Sequence, residues 1–301
     1  MNGRMMVQMV MVALFWAGVF PIGQWTVHTI HPVLVAFYRF VLTAVCLIVL
    51  LRIREPDTWK IGKEEWIPFL LLGATGIFAY NCFFFFGLKW AGAVKSSVII
   101  ASVPMVTAVL SVWLFRERLT LLQLVGVLLS FCGVVTVVTE GHLQTLGHLS
   151  LGDLCVFGAV ASWTAYTLLG KRWMTTVSPL KATAYASLFG SGMLAPFAWI
   201  MSGSWKVPPT ATWLHGATIV YMALFATVLA FVWWNDGVRQ LGAGRAAIFL
   251  NLVPVFALTI STVSGHPLLP VHVAGAVLVI TGVSMTTLLK KEEAVGESRP
   301  V

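Results

Sequence analysis

Apolar runs of about 20 residues follow one another along the whole chain, and that pattern leaves few folds open. A helix crossing a bilayer needs about 20 mostly apolar residues. Such runs fall at 7–28, 32–51, 66–88, 94–115, 119–139, 151–170, 178–202, 213–235, 243–264 and 270–289. They are continuous rather than alternating, so they predict spanning helices and not the strands of a barrel. Only 10% of the 301 residues are charged, against about 25% in a soluble domain. A surface so poor in charge would not stay dissolved, so the expected solvent is lipid.

The breaks between runs carry the polar residues. They are Pro32 after His31, the charged loop 52–65, Arg116-Glu117-Arg118, the stretch 140–150, loop 203–212 with Pro208-Pro209, and Gly265-His266-Pro267. The net charge of +8 sits mostly in these loops, so it reads as topology rather than nucleic-acid binding. With the N-terminus in the cytoplasm, only Lys89, Lys95 and Lys206 fall outside and Arg39 falls within a span. The rest of the 19 Lys and Arg fall inside. Positive residues favour the inner side, so both termini are expected there, in a cytoplasmic (inner) membrane of the bacterial type. The first run lacks an AxA-like cleavage site and leads into further runs, so it reads as a span rather than a signal peptide.

The chain repeats itself. GLKWAGAVKSSVIIASVP (87–104) returns as GVRQLGAGRAAIFLNLVP (237–254). Gly87/Gly237, Gly92/Gly242, Ala93/Ala243, Val103/Val253 and Pro104/Pro254 match, as do the basic pairs Lys89/Arg239 and Lys95/Arg245. Trp16 and Pro32 match Trp163 and Pro179, and Gly126 and Gly133 match Gly275 and Gly282, at nearly the same offset. Spans 1–5 therefore recur as spans 6–10. Five is odd, so the second copy enters from the opposite side. The expected fold class is an all-α integral membrane protein of ten transmembrane helices in two inverted five-helix repeats, 1–145 and 146–290, with a cytoplasmic tail at 291–301. Inverted repeats mark alternating-access transporters, with the site near the midplane between copies; channels also use them.

These motifs resemble the drug/metabolite transporter (DMT) superfamily, EamA branch. The resemblance covers about residues 7–289 and rests on the doubled G-x4-GA-x-[KR] leading to Val-Pro and on the doubled Gly-x6-Gly. The turn Arg116-Glu117-Arg118-Leu119 is also similar to the family's; the second half has Gly265-His266-Pro267-Leu268 there, without the acid. The chain looks most like the YddG type of bacterial amino-acid exporter, which implies export of small organic metabolites, amino acids foremost, aromatic or otherwise neutral.

Candidate site residues follow from polar and aromatic groups in the runs. Trp16 and Trp163 are symmetry mates whose indole faces could hold an ammonium group or an apolar side chain, or simply pack. Tyr80 and Asn81 interrupt the apolar run 66–88 and should turn inward. Lys95-Ser96-Ser97 at a helix start suits a carboxylate, or Lys95 snorkels to headgroups. Arg39 lies about 10 Å down its helix from Pro32, where it either snorkels outward or faces the interior as a functional charge. Pro21, Pro104 and Pro254 should kink their helices, and Arg245 mirrors Lys95, the pair either closing alternate gates or simply anchoring both helices. Gly126/Gly133 and Gly275/Gly282 each lie on one face and should let helices approach closely.

Some functions find no support. No Asp or Glu lies in a span interior, which argues against proton coupling through a buried carboxylate. No HExxH, GxGD, GxSG or CxxC is present, and Cys46, Cys82, Cys132 and Cys155 read as buried thiols. The expectation is a transporter without catalytic residues, metal or cofactor, whose partners are a small-molecule substrate and the lipid bilayer. A drug-like substrate and a passive channel are the alternatives.

Overall fold

The computed structural model describes residues 3–115, 120–142, 149–173, 177–241, 249–265 and 268–288. The turn 116–118, Arg245 with the rest of 242–248, the pair 266–267 and the tail 291–301 lie outside the described residues.

Among the described residues every regular element is helical. In chain order these are α1 (Gly3–Thr29), α2 (Pro32–Arg54), α3 (Trp66–Leu72), α4 (Tyr80–Ala91), α5 (Ala93–Ile100), α6 (Val103–Phe115), α7 (Leu121–Val138), α8 (Leu151–Trp173), α9 (Pro179–Ser202), α10 (Trp213–Ala223), α11 (Ala230–Leu241), α12 (Leu252–Val263) and α13 (Pro270–Leu288). A π-helical stretch, Gly73–Ala79, joins α3 to α4, and a second, Leu224–Leu229, joins α10 to α11. Among the described residues 6 helices are long and apolar enough to cross a membrane: Arg4–Thr29, Pro32–Arg54, Lys63–Ala91, Leu151–Gly170, Pro179–Ser202 and Trp213–Trp234. Shorter apolar helices run over Ala93–Thr107, Leu121–Val137, Leu252–Val263 and Pro270–Met285. Lipid offers backbone groups no water, so these β-branched and aromatic sequences wind into helices that satisfy their own backbone.

Polar side chains close the helix starts. Thr120 accepts from the Gln123 N–H at 3.2 Å, while Thr120 N–H donates to Gln123 Oε1 at 2.9 Å. Ser150 and Asp153 make the same reciprocal box before α8, at 3.1 and 3.0 Å. Ser178 caps α9 through the Lys181 N–H, with Pro179 in the first turn, where its missing N–H costs nothing. Gly92 (φ 83°) turns the chain between α4 and α5 in a conformation that side chains resist. Gln24 of α1 then accepts the orphan Ala93 N–H at 2.9 Å.

Two helices differ from the sequence expectation. The apolar run 94–115 is not one bent helix but two, parted by a turn at Ala101 and Ser102. Pro104 stands second in α6, so it starts a helix rather than kinking one. Pro254 likewise stands third in α12, behind a 3₁₀ turn at Phe249–Asn251. Pro21 sits inside α1, which runs through it unbroken.

The packing interleaves the first and second halves. α2 packs on α9, and α7 on α13. α1 packs on α11 and α12, while α8 packs on α4 and α6. Each half thus lays its first helix against helices from the third and fourth apolar runs of the other. One apolar core gathers around Leu72, Phe85, Leu88 and Met222. A second, with Val98, Val137, Val156 and Val279, surrounds the α7–α13 pair. There Gly133 and Gly275 bring two backbones together: a Cβ on Gly133 would lie 2.7 Å from the Gly275 carbonyl oxygen, and one on Gly275 would lie 2.9 Å from that of Gly133. Gly282 meets the backbone of Gly126 and Ser130 in the same way.

Each end of the bundle is tied by an ion pair. At one end Lys95 Nζ meets Asp153 Oδ1 at 2.9 Å. At the other, Lys181 Nζ meets Glu65 at 2.8 Å and Ser178 donates to Glu55. Arg52 lies over the Trp59 ring there, at 4.3 Å.

Candidate functional site

Several polar and aromatic groups converge in the middle of the bundle. At a rise of 1.5 Å per residue, Trp16, Trp163, Thr227 and Asn81 lie about 15–21 Å from the Lys95 end of their helices. Arg39 lies about 10 Å from its own. That layer is close to the middle of a hydrocarbon core about 30 Å thick.

Aromatic rings line it. Trp163 lies 4.9 Å from Tyr80 and 5.2 Å from Tyr166, centroid to centroid. Tyr80 stacks on Phe84 at 5.5 Å, and Phe84 meets Phe20 edge-on at 5.4 Å. Trp16, one turn before Phe20, lies 5.4 Å from Trp234. The row therefore runs from one repeat into the other through α1, α4, α8 and α11. Trp16 and Trp163 do not touch; each contacts the opposite half.

The two π stretches feed polar groups into this row. A π turn makes i→i+5 bonds and leaves α-type partners displaced. Trp16 Nε1 donates to the Ala226 carbonyl in the second stretch at 2.9 Å. Thr227, in the same stretch, donates to the Met222 carbonyl at 2.8 Å and accepts from Arg39 Nη2 at 2.9 Å. Asn81 Nδ2 donates to the Ile77 carbonyl of the first stretch at 2.8 Å. Its Oδ1 lies 3.5 Å from Arg39 Nη1. Tyr221 donates to the Phe15 carbonyl at 3.0 Å, an approach that a side chain at position 18 would block, since a Cβ on Gly18 would lie 2.5 Å from the Tyr221 oxygen.

Arg39 is thus buried, at 8% exposure, and does not snorkel. Sequence reasoning left that choice open and missed Thr227, Tyr221, Phe84 and Tyr166. The signal for Thr227 was present: it interrupts the apolar run 213–235 as Asn81 interrupts 66–88.

The group Lys95-Ser96-Ser97 lies elsewhere, at the end of the bundle. Lys95 is engaged by Asp153, Ser97 donates to its own helix at the Val94 carbonyl (2.8 Å), and the buried Ser96 hydroxyl has no partner. At this end burial and the Lys89 charge hold His31 below the usual imidazole range, so it stays neutral.

Comparison with known proteins agrees with this architecture. The EamA-like transporter family matches twice, at residues 3–139 and 150–288. An uncharacterized transporter of Bacillus subtilis, YyaM, is 33% identical over 90% of this chain and 89% of its own. A probable terminal-alkyne amino-acid exporter of Streptantibioticus cattleyicolor is 25% identical over 95% of each chain. A probable amino-acid metabolite efflux pump of Salmonella typhimurium is 26% identical over 90% of this chain and 91% of its own. Two family matches cover nearly all of a chain with several membrane-length apolar helices, and the chain belongs to the EamA-like transporter family as a multi-pass membrane protein.

Proposed function

We propose that this chain is an alternating-access exporter of small organic metabolites, neutral amino acids foremost, across the cytoplasmic membrane. The observation that carries the proposal is the mid-bundle layer of Trp163, Tyr80, Trp16, Asn81 and Arg39. It joins aromatic faces to hydrogen-bonding groups where the two halves interleave. Such a layer suits a solute with an apolar side chain and charged ends: the rings take the first by stacking and an ammonium by cation–π attraction. The amino-acid class is supported by the names of the two exporter and efflux-pump relatives.

The interleaved packing supports an inverted relation between repeats 1–145 and 146–290, with the tail 291–301 beyond them. Exchanging the halves maps the α1–α11 contact onto the α8–α4 contact. In this reading the Lys95 end faces outward, both termini face the cytoplasm, and spans 1, 3, 4, 6, 8 and 9 line the path. The turns ahead of Pro104 and Pro254 serve as matched hinges, and Lys95 and Arg245 sit at opposite gates. Gly126, Gly133, Gly275 and Gly282 hold α7 and α13 as scaffold.

Counterflow in proteoliposomes tests the function. The purified protein should exchange radiolabelled neutral amino acids saturably, and unlabelled substrate inside should accelerate uptake. Ion currents of single-channel size, or flux that never saturates, would sink the proposal.

A further inference from the structure

We infer that Arg39 receives the carboxylate of the transported solute. The guanidinium has five N–H donors. One goes to Thr227 at 2.9 Å, one reaches Asn81 at the long limit of 3.5 Å, and Nε is buried with no partner. No salt bridge to Arg39 is present among the described residues, where the ion pairs at the two ends engage Lys95 and Lys181 instead. Among the described residues a permanent positive charge is therefore buried without a counter-ion, with the Phe40 ring at 5.0 Å beside it, an arrangement that is strongly unfavourable in isolation. Ionisable groups at such depth face the bundle interior and mark the path of a charged solute. A solute anion would complete the pairing.

The shape of the donor set narrows the anion. A planar fork with unused N–H groups matches a carboxylate, which it can bind through two parallel bonds. A phosphate would want several cations, and the cations paired at the two bundle ends are engaged elsewhere. Tyr80 precedes Asn81, which reaches Arg39, and its ring lies 4.9 Å from that of Trp163, so a carboxylate on Arg39 would put the rest of the solute toward the aromatic row. Lys95, the sequence-based choice for this task, already holds Asp153 at the bundle end.

Arg39 also bridges the two π stretches. It donates directly to Thr227 of the second, and it reaches the Ile77 carbonyl of the first through Asn81. An anion that draws the guanidinium toward itself competes with both links. Occupancy of the site is thereby coupled to spans 3 and 8 at once.

The inference takes the identity of the acid from the exporter reading, but the site stands without it. Binding of L-phenylalanine, phenylacetate, phenylacetamide and phenethylamine to the detergent-purified protein tests it, by thermal shift and equilibrium dialysis. Phenylacetate should bind saturably and the isosteric amide and the amine should not. Arg39→Lys should weaken phenylacetate about tenfold or more, and Arg39→Met should erase the preference for acid over amide. Arg39→Lys keeps the charge and guards against loss of fold in Arg39→Met. The inference fails if the wild type binds no carboxylate, if the amide binds as well as the acid, or if either variant keeps the wild-type acid affinity. If phenylacetate binds through Arg39 but L-phenylalanine neither binds nor exchanges, the carboxylate site stands and the amino-acid reading falls.

Discussion

Lys95 and Asp153 meet at 2.9 Å across the starts of two helices from different repeats. Asp153 does two things at once: it pairs with Lys95 and it closes the capping box with Ser150. The two residues should therefore not be equivalent. Asp153→Ala should cost about 2–4 kcal/mol, combining loss of the cap with an unpaired lysine. Lys95→Met should cost less, because Ser150 still donates to Asp153 through both N–H and hydroxyl. Thermal unfolding in detergent measures both, and equal losses would refute the double role.

Trp163 and Tyr80 should matter to transport more than to folding. Trp163→Ala removes a ring whose stacking or cation–π contribution is about 1–2 kcal/mol, so the transport KM should rise roughly 5–30-fold. Tyr80→Ala should act in the same direction. Wild-type KM values in both variants, with normal amounts of folded protein, would remove the aromatic row from the site.

The α7–α13 contact should be intolerant of bulk. Gly275→Val drives a side chain into the Gly133 carbonyl and the Val137 methyls, and overpacking of this kind costs about 1–3 kcal/mol. Gly192→Ala in α9 is the contrast, since a Cβ there meets nothing within 4 Å. It should hold or raise the melting temperature, by helix propensity alone. A harmless Gly275→Val would show that α7 and α13 do not rely on this contact.

Orientation is testable by labelling. In a background without native cysteines, Lys60→Cys should react with a membrane-impermeant maleimide only after the cytoplasmic side is opened. Lys206→Cys should react in intact cells. The reverse pattern would invert the topology and exchange the two gates.

Six of the expected spans were legible in the sequence because lipid imposes one rule on every backbone group: among the described residues the runs 7–28, 32–51, 66–88, 151–170, 178–202 and 213–235 hold helices of membrane-crossing length, while the other four runs hold shorter apolar helices. The doubled glycines were legible for a related reason, since small residues at fixed spacing lie on one face whatever surrounds them. Arg39 was not. At about 10 Å from its helix end a long side chain can reach either the interface or the interior. Only neighbours such as Thr227, on a helix far away in sequence, decide which. The engagement of Lys95 by Asp153 was hidden for the same reason. The position of Pro104 announced a disturbance in the apolar run 94–115, but a proline can bend a helix or begin one, and the turn at Ala101–Ser102 chose the second.

The wide turns at Gly73–Ala79 and Leu224–Leu229 have a consequence for phase. An α-helix advances about 100° per residue, and each π stretch takes up extra chain within its turns. Residues on either side of it are therefore out of register, by about the angle of one residue, with a wheel drawn through the whole span. Asn81 follows the first stretch and Thr227 lies within the second, and deleting one residue ahead of either would swing that polar group away from the Arg39 guanidinium.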